Sequence, residues 1–204
     1  RRVWSILLAC VMLLTMLPAG VWAAGSGLPE LNEEGIIQLT EETVLTENYT
    51  VNAGETITID LNGNTLDVGS HCITVKGTLR IEDETGTGQI KGSSYIVKVN
   101  TNAELNLLGG NIVSTGSTAI QLMYRQGATF TMAGGSVSAA GSTVEAMRGT
   151  VTVTGGCITT SSEKSSDYAI NSNYGQTAIT IGAEEGSDDA IYVQSIRGYK
   201  NAAY

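Results

Sequence analysis

The chain has 204 residues, of which 42% are hydrophobic, 15% charged and 5% aromatic, with 25 glycines and a formal net charge of −9. That length fits one domain of ordinary size, with an aliphatic core and many tight turns. The acidic balance, with no basic stripe to offset it, argues against a binder of phosphate backbones or anionic membranes.

The first predicted element is a leader. Arg1 and Arg2 precede an apolar run from Ile6 to Leu17, Pro18 and Gly20 break it, and Val21 and Ala23 take the −3 and −1 positions of a cleavage site. A basic start, an apolar stretch and a small-residue site predict a secretory signal over residues 1–23, too short to span a membrane comfortably. Its removal takes two of the 11 basic residues and none of the 20 acidic ones, which leaves a net charge of −11. The mature protein is therefore expected to be secreted or held at the cell surface, with no membrane insertion and no nucleic-acid partner. Residues 24–35, which include "LPELNEEG", read as a linker or cap over the exposed N-terminal end of the domain.

From residue 36 the chain repeats itself. The residue after each glycine turn forms the series Val44, Leu66, Ile90, Ile112, Val137 and Ile158, at spacings of 22, 24, 22, 25 and 21. Within units, Ile37-Leu39-Val44, Ile59-Leu61-Leu66, Leu105-Leu107-Ile112, Phe130-Met132-Val137 and Val151-Val153-Ile158 share offsets of 2 and 5, and only Leu79-Ile81-Ile90 is longer, by the turn-like "ETGTG". A third apolar position follows at Val51, Ile73, Val97, Ile120, Val144 and Ile170, the last delayed by the polar insert "SSEKSSD". An offset of 2 is strand periodicity. The offset of 5 encloses a bend at Gly63, Gly109, Gly134 and Gly155, where glycine tolerates positive φ. Each unit thus predicts three short strands that close on themselves in 21–25 residues. One such ring buries too few side chains to offset the entropy of ordering it, so the rings must stack into a solenoid.

The units "ELNLLGGNIVSTGSTAIQL" and "TVTVTGGCITTSSEKSSDYAI" resemble coils of right-handed parallel β-helix, or pectin-lyase-like, proteins. They are similar in particular to the β-helix regions of secreted bacterial surface proteins. The resemblance covers about residues 36–198. It implies an all-β, right-handed parallel β-helix of about six to seven coils over residues 36–204, a hand that parallel crossovers also favour. With no cap evident after Ile179-Ile181, the helix is expected to continue beyond residue 204.

Stacked coils turn sequence offsets into columns about 4.8 Å apart. No column assembles a catalytic set. The Asn-Thr-Asp and Gly-His-Gly motifs that polygalacturonase-like β-helix hydrolases carry do not occur, and His71 is the only histidine. Arg80 is expected to face outward beside Asp60 as a surface ion pair. The acidic loops "RIEDETGTG" and "GAEEGSDDA" lack the alternating carboxylates of a calcium loop and read as solvated turns. No cofactor and no metal site are read from the sequence. Cys72 and Cys157 fall on coils about 14 Å apart and on different faces, too far for a disulfide, so two free thiols are expected.

Two outward features remain. Tyr49, His71, Tyr95 and Tyr168 each precede the third apolar position by two residues. They form either an aromatic corner ladder over the core edge or a platform for sugar rings, and they are the candidate carbohydrate contacts. Thr129, Thr131, Thr150, Thr152 and Thr180 form an outward threonine array, explained by strand propensity or by contact with ice or a glycan surface. The leading expectation is a non-catalytic secreted or cell-surface scaffold, adhesin-like, whose partner is a polysaccharide or a host or cell-surface glycan. The alternative is a fragment of a polysaccharide-active lyase or hydrolase whose catalytic coils lie beyond residue 204.

Overall fold

A computed structural model describes residues 26–123, 127–172, 177–182 and 190–198. The predicted leader and the carboxylates of "GAEEGSDDA" lie outside the described residues. The described chain is all β: three seven-stranded sheets, each built entirely from parallel pairs. Successive strands of the chain go to the first, second and third sheet in turn, so every coil adds one strand to each.

The first sheet stacks Ile36–Gln38, Thr56–Asp60, Thr78–Glu82, Glu104–Leu107, Thr129–Met132, Gly149–Val153 and Thr177–Ile181. The second stacks Thr43–Val44, Thr65–Gly69, Gln89–Gly92, Asn111–Ser114, Ser136–Ala139, Gly156–Thr160 and Ile191–Val193. The third stacks Tyr49–Val51, Ile73–Val75, Val97–Val99, Ile120–Leu122, Val144–Ala146, Ile170–Asn171 and Ile196–Arg197.

The inward residues line up through one interior. Leu105 lies between Leu79 and Phe130, and Leu107 between Ile81 and Met132. Ile112 lies between Ile90 and Val137 on the second sheet, and Ile120 between Val97 and Val144 on the third. All of these side chains are fully buried in a single cluster. Their outward neighbours on the first two sheets are partly or fully exposed, the alternation that a half-buried strand requires, while Gln121 beside Ile120 on the third sheet is buried.

Four details of the expected register are corrected. In the first coil the residue opposite Leu66 is Thr43, not Val44, so Val44 turns outward and is 55% exposed while Leu45 enters the core. On the third sheet Tyr49, not Val51, lies opposite Ile73, and Val51 opposite Val75. In the first sheet Ile59 meets Ile81 rather than Leu79, which pairs with Ile57. A slip of two keeps the same face inward because the side-chain period is two. Burial in a period-two pattern therefore cannot discriminate between alignments two residues apart, and the backbone ladder decides.

The fourth correction concerns the bends. Positive φ falls on Gly63 in the second coil but on the second glycine of later pairs: Gly110, Gly135 and Gly156. These three stack directly, and a Cβ on Gly135 would collide with the Gly110 carbonyl oxygen. The glycine column is thus required twice over, by backbone conformation and by the close approach of coils.

At the N-terminal end, Ser26 and Leu28 lie against the first coil. The Ser26 carbonyl accepts from the Thr46 N–H at 3.0 Å, and Leu28 packs on the core. Asn32 Oδ1 accepts from the Glu34 and Ile36 N–H groups and turns the chain into the first strand.

Candidate functional site

The predicted aromatic column is divided by the register. His71, Tyr95 and Tyr168 do precede Ile73, Val97 and Ile170 by two, but Tyr49 sits opposite Ile73 itself and packs against the core. Burial, with Glu55 nearby, raises the Tyr49 phenol above its ordinary pKa. Between Tyr95 and Tyr168 the same column is filled by Thr118 and Ser142, both buried. The rings of Tyr95 and Tyr168 are half-buried, and each carries a cation: Lys98 Nζ lies 5.0 Å from the Tyr95 centroid and the Arg197 guanidinium 5.8 Å from that of Tyr168. A cation over the ring takes a face that a pyranose would need.

The predicted Arg80–Asp60 pair is replaced. Arg80 lies opposite Thr58 and Asn106, and Asp60 instead accepts from Gln38 Nε2 at 2.7 Å. Lys91 makes ion pairs across the coils, 3.1 Å from Glu42 and 3.5 Å from Asp67. The bond to Glu42 outweighs partial desolvation and, with Asp67, raises the Lys91 ammonium above its usual pKa. The threonines do form outward columns on the first sheet: Thr129 beside Thr150, and Thr131, Thr152 and Thr180 in line. Asn106 and Arg80 extend the second of these columns.

The acidic loop of "RIEDETGTG" is organised by its own backbone. Asp83 turns inward and is 7% exposed. Its Oδ1 accepts from the Gly63 N–H and the Thr85 hydroxyl, each at 2.8 Å, and its Oδ2 from the Gly88 N–H at 2.7 Å. Burial alone would raise its pKa, but these donors outweigh burial and hold the carboxyl below the ordinary carboxylate value. Both oxygens are committed to protein donors. Among the described residues, no three His, Cys, Asp or Glu side chains gather closely enough to hold a metal ion together. Cys72 and Cys157 are both free.

A groove that the sequence did not reveal lies at the corner between the second and third sheets. Neighbouring coils fix the circumference of each ring, so the extra residues of "SSEKSSD" leave the coil and fold over this corner. The segment is clamped from both ends. The Ser162 N–H donates to Thr160 Oγ1, and Thr160 Oγ1 donates to the Gly141 carbonyl. Ser162 Oγ donates to Asp167 Oδ2, the Asp167 N–H to the Lys164 carbonyl, and the Tyr168 N–H to Ser142 Oγ. The result is a wall beside the corners Thr115–Thr118 and Ala140–Ser142, enclosing a cavity of about 380 Å³ that Glu145, Lys164 and Asp167 also line. A second depression of about 390 Å³ adjoins it across the outer face of the second sheet, lined by Val113, Ser138 and Thr159 among others. The two share Thr115 and Ala140.

Glu145 belongs to the outward column Lys98, Gln121, Glu145, Asn171 and Arg197 of the third sheet. Its Oε2 accepts from Gln121 Nε2 at 3.2 Å. Asn171 donates to Ser142 at 2.9 Å, yet its buried Oδ1 has no partner among the described residues. The signal that could have located the groove was the insert itself, since added length in a ring of set circumference must project from it.

The stacked parallel sheets and shared interior define the protein as a parallel β-solenoid. Comparison with protein-family models, curated proteins and solved structures finds no match.

Proposed function

We propose that the protein is a non-catalytic scaffold of right-handed, pectin-lyase-like β-helix type, secreted or displayed on a bacterial cell surface in the manner of an adhesin, that contacts glycans. The observation that carries this reading is the corner groove. Its insert wall is tied down by hydrogen bonds at both ends, its lining is rich in hydroxyls, and it lies open on the outer surface of the described chain. Binding sites of this kind are concave and largely pre-formed. The resemblance of the repeats to β-helix surface proteins and the leader-like N-terminus support export.

The test is a glycan array together with a lyase and hydrolase assay on uronate and neutral polysaccharides. Retention on glycans without turnover is expected. Turnover of any uronate polymer by this chain would replace the scaffold with the enzyme reading, and a silent array would remove glycan contact.

A further inference from the structure

The corner groove is a site for an extended, uncharged oligosaccharide, we infer; this rests on the glycan-contact reading and specifies its ligand. Shape argues for a linear chain. The two depressions of about 380 and 390 Å³ are adjacent and share Thr115 and Ala140 in their linings, so together they reach from the outer face of the second sheet round the corner to the insert. A single small ring would occupy only part of it.

Charge argues for a neutral ligand. Glu145 and Asp167 face the groove with Lys164 as the one base, and the whole chain is acidic. A polyuronate or a phosphorylated chain entering there meets net repulsion. Vicinal hydroxyls suit the same set, because they both donate and accept. Glu145 Oε1 has no protein partner among the described residues, since the bond from Gln121 goes to Oε2. Lys164 makes no ion pair among the described residues. The Ser117, Ser138 and Thr159 hydroxyls have no side-chain partner among them either. Where groove hydroxyls donate to backbone, as Thr115 does to Gly92 and Ser161 to Ala139, their lone pairs stay open to a donor.

The strand edges argue against a peptide. Asn111–Ser114 is bonded on one side to Gln89–Gly92 and on the other to Ser136–Ala139, which in turn pairs with Gly156–Thr160. No backbone edge is open under the groove for an added strand. Apart from Val113 the lining offers no large apolar side chain against which a peptide would anchor.

Pre-organisation follows from packing. At the floor, Gly116 and Gly141 lie so close to the coil before that a Cβ would strike the Ser93 and Ser117 carbonyl oxygens. The corners therefore nest without slack, and the insert is clamped over them.

The test is calorimetric titration of the protein with cellohexaose, mannohexaose and maltohexaose, with their monosaccharides, with hexagalacturonate and with a neutral hexapeptide. At least one neutral hexasaccharide is expected to bind, about tenfold or more tighter than its monosaccharide. Ser117→Trp fills the groove from an exposed turn and is expected to weaken binding about tenfold or more. Lys164→Ala is expected to weaken it in the same direction with unchanged thermal unfolding. Unaltered affinity in Ser117→Trp, equal or tighter binding of hexagalacturonate, or binding of the peptide in place of the saccharides overturns the inference. If Ser117→Trp binds normally while Tyr95→Ala does not, glycan contact survives on the aromatic corner and only the groove falls. If the hexasaccharides fail but the array registers charged glycans, only the uncharged class falls. If titration and array are both silent, both readings fall.

Discussion

Leu107 and Asn106 are adjacent in sequence and opposite in environment, so one substitution at each tests the whole register. Leu107 is fully buried between Ile81 and Met132. Asn106 faces outward between Arg80 and Thr131 and donates to Glu104 at 2.9 Å. Leu107→Asp forfeits the burial of the side chain and leaves a cavity, together about 2–5 kcal/mol. It also puts an unpaired carboxyl in the core, which adds about 1–3 kcal/mol even after the acid takes up a proton. The sum, about 3–8 kcal/mol, is comparable with the whole stability of a domain, about 5–15 kcal/mol. Asn106→Asp places a carboxylate next to both Arg80 and Glu104 at the surface, with an expected effect within about 1 kcal/mol. Urea unfolding followed by circular dichroism reads the difference. At a slope of about 2 kcal/mol/M, Leu107→Asp lowers the midpoint by more than about 1 M or prevents folding, and Asn106→Asp moves it by less than about 0.5 M. Equal shifts would mean that the two side chains share an environment and that the stacked-coil register is wrong.

The Asp83 carboxylate supplies a pH dependence of known sign. Its folded pKa lies below the unfolded value, so its stabilisation is fully present above about pH 4 and is lost as pH falls through the folded pKa. Asp83→Asn should be less stable at pH 7 by about 2–3 kcal/mol, through loss of charge-assisted bonds to Gly63, Gly88 and Thr85; in urea unfolding the gap to the parent should narrow as the pH is lowered below about 4, and a gap independent of pH would refute the assignment. Gly135→Ala should cost more than Gly86→Ala, because both have positive φ but only Gly135 has a backbone oxygen against the new Cβ; thermal melts of equal midpoint would contradict the stacked glycine column. Cys72 and Cys157 should both react with a thiol reagent in denaturant without reductant, and a mature protein with no titratable thiol would require a bridge that the coil spacing forbids.

The solenoid was legible because its signal repeats. Offsets of 2 between apolar residues and a coil length of 21–25 residues dictate short strands that close on themselves, and a ring that cannot stand alone must stack. The interior columns through Leu105, Leu107 and Ile112 follow directly from that repetition. The aromatic column was legible only in part: His71 and Tyr95 stand two residues ahead of the paired Ile73 and Val97, while the first coil slipped by two and set Tyr49 opposite Ile73 itself. Terminal coils have a neighbour on one side only, so their pattern is least constrained by the repeat.

The tertiary structure decided what periodicity leaves degenerate. A shift of two preserves which face is inward, so only the hydrogen-bonded ladder distinguishes Ile81 from Leu79 as the partner of Ile59 and thereby separates Arg80 from Asp60. The groove was also invisible in sequence. Its residues come from three coils, among them Thr115 and Ser117, Ser142 and Glu145, and Lys164 and Asp167, and none carries a motif alone. Sequence determined that the backbone would wind into stacked rings, because burial of alternate side chains leaves no other economy of surface. Where an insert settles against neighbouring rings, and which polar groups it brings face to face, depends on contacts between distant segments that exist only once those rings are stacked.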